Sequence, residues 1–377
     1  MEAHMRVPQG EFALRRLPSR ANDVLRAWDA ADEYLLFDLA SRQLAHDACI
    51  FVLNDSFGAL GVALHQFRPI ALSDSWLSQQ ATRLNLEANG ISLDRVKLLS
   101  SLQLPCETID YLLIKVPKTL ALLEYQLIVL RPWLSDRTQV IAAAMVKNLP
   151  ASVRNTLERL VGPVTMSLSR KKARLIYAQK STDTNTPANP YPVYYRLENS
   201  DFVVSNHANV FSRDRLDIGT RFLLQHLPAN SNFLDFIDLG CGNGVVGMML
   251  AKAYPNSSLR FIDESFMALA SAEDNIRRAF PEKEHVEFIP TDCLNGIASE
   301  SADCIVCNPP FHQEHSVGDQ IAWQMFKQSR RVLRRDGELR VIGNRHLAYH
   351  NRLKKIFGRY ELVASNRKFV ILSAVKK

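Results

Sequence analysis

At 377 residues the chain is long enough for two domains with sizeable cores, given about 150 residues per domain, and 47% hydrophobic with 23% charged content is ordinary globular composition. The net charge of +7 is unevenly placed: Gln328 to Lys377 carry fourteen basic and three acidic residues, net +11, which leaves −4 on the rest. That asymmetry suits either a surface that meets polyanions or a solvated basic face. The opening MEAHMRVPQGEFALRRLP lacks the apolar centre of a secretory signal. No stretch approaches the roughly 18 uninterrupted apolar residues of a membrane span. Six cysteines make no disulfide framework in a chain this long, so a reduced, cytoplasmic compartment without membrane attachment is expected.

In chain order, LNDSFGALG (53–61) is the first strand-to-helix junction, followed by a strand ending at Asp74, the strand end IKVPK (114–118) and the closing run RKKARLIYAQK. Lys180 to Pro192, KSTDTNTPANPYP, has no apolar period and reads as an interdomain linker. Beyond it, strands are expected at FLDFIDLG (233–240), LRFID (259–263), VEFIPTD (286–292), ADCIVCN (302–308) and GELRVIG. Helices are expected over Val245–Tyr254, Glu264–Phe280, Asp319–Arg335 and His346–Phe357, and two closing strands between Tyr360 and Val375. This alternation implies a largely parallel α/β sheet covered on both faces, with an antiparallel pair at the end.

The two halves repeat one plan. LNDSFGALG precedes LGCGNGVVG (239–247) by 186 positions, Asp74 precedes Asp263 by 189, and IKVPK precedes VCNPP (306–310) by 192. The closing runs RKKARLIYAQK and RKFVILSAVKK also correspond. Two domains follow, 1–185 and 193–377. They differ where chemistry would sit, since Asn54, Asp55 and Ser56 replace Gly240, Cys241 and Gly242, while Val116, Lys118 and Thr119 replace Asn308, Pro310 and Phe311. The second copy is equipped to work; the first is degenerate.

Asp238-Leu-Gly240-Cys-Gly242-Asn-Gly244 ends a strand and opens a helix, where glycines make a tight turn that lets a ligand lie against backbone. Gly242, Gly244 and Gly247 also satisfy the dinucleotide fingerprint, so the glycines alone leave the cofactor class open. Asp263, ending the next strand, can accept both hydroxyls of a ribose in either class. Asn308-Pro309-Pro310-Phe311 separates the classes. Two prolines stop the strand and fix the backbone, so that the Asn308 amide oxygen and the Pro309 carbonyl can each accept one hydrogen of an exocyclic amine while Phe311 stacks on the ring. Nicotinamide chemistry has no use for such a set. Cys304 and Cys307 read as buried strand residues, His312 and His315 as loop histidines beside a substrate pocket, and no metal is expected.

DLGCGNG with NPPF resembles the motif pair of class I S-adenosyl-L-methionine-dependent amino-methyltransferases. With a degenerate first copy and HANVFSRDRLDIGTRFLLQHLP (207–228) opening the second, the whole chain resembles the bacterial ribosomal RNA guanine-N2 methyltransferases, and AWDAADEYLL and LLIKVPKTLALLE look closest to the large-subunit members. The resemblance implies two tandem Rossmann-like class I methyltransferase domains and methylation of 23S ribosomal RNA, with 16S RNA as the alternative substrate. It implies that Asp238, Gly240, Gly242 and Gly244 line the methionine and ribose of the cofactor, that Asp263 binds the ribose, that Asp292 faces the adenine amine, and that the segment around Asn209 and Phe211 folds over the methionine end.

A protein glutamine or a DNA adenine is a more distant substrate for the same tetrad, and an RNA-binding assembly factor with a vestigial motif is the non-enzymatic reading. The first half is expected to recognise RNA through Lys115 and Lys118, with Arg15, Arg16, Arg20, Arg170, Lys171, Lys172 and Arg174 near its ends. A monomer is expected.

Overall fold

A computed structural model describes residues 4–18, 25–104, 107–181, 187–310 and 315–377. Its contacts divide the chain into two compact units, Met1–Tyr191 and Pro192–Lys377. The first opens with a hairpin of β1 (His4–Val7) and β2 (Gly10–Ala13), then α1 (Ala30–Ala40), β3 (Ile50–Leu53) and α2 (Ala59–Ala63). It continues through β4 (Ile70–Ser73), α3 (Trp76–Ala88), β5 (Lys97–Ser100), β6 (Ile109–Lys115) and α4 (Leu120–Leu130). It closes with β7 (Leu134–Met145), α5 (Ala151–Leu160), β8 (Val164–Met166) and β9 (Ala173–Ala178).

The second unit follows the same order. A hairpin of β10 (Val193–Arg196) and β11 (Val203–Asn206) leads to α6 (Ile218–Leu224), β12 (Asp235–Leu239), α7 (Val245–Ala253) and β13 (Ser258–Asp263). Next come α8 (Phe266–Ala279), β14 (Val286–Pro290), β15 (Ala302–Cys307) and α9 (His315–Val332). The unit ends with β16 (Leu333–Asn344), α10 (Tyr349–Phe357), β17 (Glu361–Ser365) and β18 (Phe369–Val375).

Each unit holds one seven-stranded sheet, ordered β5-β4-β3-β6-β7-β9-β8 in the first and β14-β13-β12-β15-β16-β18-β17 in the second. These are the same path through the sheet. The first five strands in chain order run parallel, and the last strand inserts antiparallel between its two neighbours. The closing pair is therefore not simply appended at the edge: β18 pairs with β16 on one side and β17 on the other.

Central strands are apolar on both faces, as parallel strands covered by helices must be. In β12, Phe236 packs into the core with α7 and α8, while Ile237 points to the opposite core with α9 and α10. The repeat also extends to buried polar contacts. Asn85 of α3 donates to the Phe57 carbonyl at 2.7 Å and pairs with the Arg15 backbone, and Asn275 of α8 donates to the Asn243 carbonyl at 2.9 Å and pairs with the Ser205 backbone. In both units one buried asparagine ties the strand-to-helix turn to the segment that enters the fold.

Several boundaries differ from the sequence expectation: the helix expected over Asp319–Arg335 runs from His315 to Val332, and the one expected from His346 begins at Tyr349. β16 begins at Leu333 rather than at Gly337, because Leu333 already pairs with Ala302 before a register shift brings Glu338 against Cys304. β14 ends at Pro290, so Asp292 lies in the turn beyond it.

Candidate active site

The register of the second sheet assembles the site. Leu239 of β12 pairs with Ile262 of β13 and with Cys307 of β15, so the residues that follow, Gly240, Asp263 and Asn308, emerge side by side at the carboxyl edge. Gly240, Gly242 and Gly244 have φ values of 69°, 53° and 74°, in the region that favours glycine. They serve different ends. A Cβ on Gly244 would meet Ala272 at 2.7 Å and one on Gly247 would meet Phe261 at 2.2 Å, so these two let α7 pack against α8 and β13. A Cβ on Gly242 would meet nothing within 4 Å. That glycine faces open space, where a ligand can approach the backbone.

Asp238 is buried, and its carboxylate accepts from the Gly247 N–H at 2.8 Å. Burial pushes it up to about 8, and the neighbouring Asp263 charge adds to the rise. Asp263 accepts from the N–H groups of Gly242 and Ser265, both at 3.0 Å, and burial raises it as well. Burial thus favours the neutral acid at both positions, and a cationic occupant of this edge would draw them back towards the carboxylate.

Asn308 follows β15. Its Nδ2 donates to the Thr220 hydroxyl at 3.0 Å and more weakly to Asp217 at 3.5 Å. Among the described residues its buried Oδ1 has no hydrogen-bond partner. An unmet buried acceptor is costly unless a ligand completes it. Pro309 is buried and Pro310 exposed. Phe311 and His312 lie outside the described residues, and His315 opens α9 instead of lying in a loop.

Asp292 accepts from Gln324 at 2.8 Å and Asn295 at 3.2 Å. Asn209 is partly buried between β11 and α6, whereas Phe211 is 58% exposed. Sequence reasoning missed Asp217 and Thr220. Asp217 caps α6, accepting from the Thr220 N–H at 2.8 Å. The D-I-G-T spacing signals such a cap, but not that it lies against a strand end 88 residues away.

The first unit shows what the lost glycines mean. Asn54 keeps the positive φ of Gly240, at 62°, but its side chain exchanges hydrogen bonds with Gln126, which also donates to Ser101. Asp55 accepts from the first N–H groups of α2, those of Ala59, Leu60 and Gly61, each at 2.9 Å, and so takes over from the turn the contact that Asp238 makes from its strand. Lys115 does not present its charge to RNA, as the sequence suggested. It bridges Asp29 at 2.8 Å and the buried Asp32 at 2.7 Å. Those two are the N-cap and third residue of α1, the places held in α6 by Asp217 and Thr220. The equivalent edge is closed by side chains. Arg20 lies outside the described residues, Lys171 pairs with Glu33, and Lys118 is exposed.

A seven-stranded sheet of this order, with a glycine turn opening onto unfilled space beside an acidic strand end, defines an S-adenosylmethionine-dependent methyltransferase. Residues 201–373 match the family described as Methyltransferase small domain, and residues 2–182 the one described as RLMG N-terminal domain. The chain is 48% identical to Ribosomal RNA large subunit methyltransferase G of Streptomyces coelicolor, across 99% of this chain and 100% of the relative. It is 46% identical to the protein of that name from Aeromonas hydrophila, across 97% of each. The chain belongs to the ribosomal RNA large subunit methyltransferase G family. Its fold also matches the T. thermophilus 16S rRNA methyltransferase RsmC, solved with AdoMet and guanosine, at a TM-score of 0.74 and 17% identity, over 100% of this chain and 99% of that one.

Proposed function

We propose that the protein transfers a methyl group from S-adenosylmethionine to the exocyclic N2 of a guanine in 23S ribosomal RNA. The observation that carries this reading is the buried, unmet Oδ1 of Asn308 beside the glycine turn. It is an acceptor held ready for an N–H that none of the described residues supplies.

The residues present suit the cofactor. Gly242 leaves room for it, Asp263 accepts the ribose hydroxyls in this reading, and the cofactor's positive charge would favour the ionised forms that burial disfavours in Asp238 and Asp263. When bound, the cofactor supplies an electrophilic methyl on a sulfonium. The protein's part is positioning and charge stabilisation. Guanine N2 is a weak nucleophile because its lone pair is delocalised into the ring. Asn308 Oδ1 and the Pro309 carbonyl accept its two hydrogens, fix the lone pair in line, and stabilise the positive charge that grows on nitrogen. The proton released afterwards is acidic enough to pass to water. Asp238 and Asp263 bind rather than act as bases. The target guanine leaves its stack to reach the pocket, at about a few kcal/mol unless it lies in a loop.

Asp292 and the Asn209–Phe211 segment are assigned to the adenine and methionine ends, and Phe311 to stacking on the base. The first unit, its own pocket closed, serves RNA recognition. Nucleoside mass spectrometry of ribosomal RNA from cells with and without the protein tests the reading. N2-methylguanosine should disappear from one large-subunit position, and an unchanged profile would refute it.

A further inference from the structure

The sequence placed a strong positive excess after Gln328, and the structure sorts it into two groups. Arg334 bridges Asp235 and Asp303, Arg340 pairs with Glu338, and Lys377 with Asp336. Those charges are already committed to partners within the unit. A second set, which begins at Lys327 just ahead of that stretch, is left facing solvent. Lys327 and Arg330 on the last turns of α9 and Lys355 on α10 are exposed, and among the described residues none of them forms an ion pair. They line one groove with Arg331 and Lys376, and Trp323 and Ile356 are also part of its lining. The single carboxylate in the groove, Glu300, is already bound by Lys376 at 3.1 Å. The Lys355 ammonium sits 5.5 Å from the centre of the Trp323 ring.

We infer that this groove is a second RNA contact on the catalytic unit, which grips the sugar-phosphate backbone of a single-stranded segment and rests one base on Trp323. Cations beside an aromatic ring form the combination that single-stranded nucleic acid requires, since the cations track phosphates and every base has a face to stack. An acidic protein would also answer the charge, but it has no use for an indole placed among the cations. Location adds a functional consequence. Ser299 and Glu300 of the groove precede β15 whereas Asn308 follows it, so the length of the strand, about 20 Å at 3.3 Å per residue, separates that end of the groove from Asn308. The segment held there lies several nucleotides from the methylated base, and its contacts are the same before and during methyl transfer. Binding of that kind acts on KM rather than on kcat.

The inference rests on the RNA reading above, and the experiment separates the two. The triple variant Lys327→Gln, Arg330→Gln, Lys355→Gln of the full chain is compared with wild type in binding and methylating deproteinised large-subunit ribosomal RNA across a salt series. KM for RNA should rise at least tenfold with kcat within about twofold, and the salt slope should shrink by about two, from three phosphate contacts at roughly 0.7 each. Affinity for S-adenosylmethionine, measured by calorimetry, should not change and reports that the unit is folded. Trp323→Leu should weaken RNA binding severalfold with the salt slope intact. A triple variant with wild-type KM and salt slope overturns the groove and leaves the functional reading standing. A wild-type protein that binds RNA with the predicted salt slope, loses that slope in the triple variant, yet methylates no guanine keeps the groove and removes the functional reading.

Discussion

Asn308 is oriented by Thr220: its Nδ2 donates to the Thr220 hydroxyl at 3.0 Å, which turns the buried Oδ1 away from the side-chain partners it has among the described residues. An amide can be flipped, and a flipped Asn308 would present N–H to an amine that needs an acceptor. The Thr220 hydroxyl gives its own hydrogen to Asp217 at 3.2 Å and is left to accept, so Thr220 held by Asp217 decides the polarity of the site without touching substrate. Thr220→Val keeps the shape and removes the acceptor. Methyl transfer should fall about tenfold, corresponding to one hydrogen bond of about 1.4 kcal/mol, with cofactor affinity unchanged and Thr220→Ser restoring most of the rate. Asn308→Ala should abolish methylation and leave cofactor affinity within a few-fold. Calorimetric loss of cofactor binding in Asn308→Ala would contradict the role assigned to it.

The glycines separate into a ligand-facing one and packing ones. Gly242→Val puts side-chain atoms into space that no protein atom uses, and should eliminate cofactor binding while costing only the strain of a positive φ, about 1–2 kcal/mol. Gly247→Ala places a methyl against Phe261 and should lower stability by about 1–3 kcal/mol. Chemical denaturation and calorimetry on the two variants should give opposite patterns.

Asp238 makes a pH prediction. Its folded pKa of about 8 lies above the unfolded value of 3.8, so between those limits the folded state holds a proton that the unfolded chain has lost. Stability from this group is full below the unfolded pKa and declines as pH rises towards 8, by about 1.4 kcal/mol per unit while the difference in protonation is complete. Asp238→Asn keeps an acceptor for the Gly247 N–H and removes the titration. The melting temperature of the variant should gain on wild type from pH 5 to pH 8 in the absence of cofactor. A constant difference across that range would contradict the assignment.

In the first unit Lys115 is the counterion of two carboxylates. Lys115→Met leaves Asp29 and the buried Asp32 facing each other without it and should destabilise the unit by about 3–5 kcal/mol, read by urea denaturation. Asn54→Gly, which restores only one glycine, should not create a second cofactor site, because Gln126 and Asp55 still fill the edge. Calorimetry should continue to find one equivalent bound.

By itself the sequence determined the features that depend on local geometry. The strand-glycine turns, the prolines that stop β15 and the repeat of one plan were legible because φ restriction, proline's missing N–H and apolar period act over a few neighbouring residues. From these, and from the family likeness they carry, came the reaction class, the cofactor and the residues of the turn. The tertiary structure alone decided which distant groups meet. The insertion of β18 between β16 and β17, the choice of Thr220 to orient Asn308, and the capture of Lys115 by α1 all join residues far apart in the chain. So did the division of the basic C-terminal stretch into paired arginines and an open groove. Strand register and helix docking fix such encounters, and the energy that selects them comes from burying whole faces of the sheet rather than from any residue's immediate neighbours.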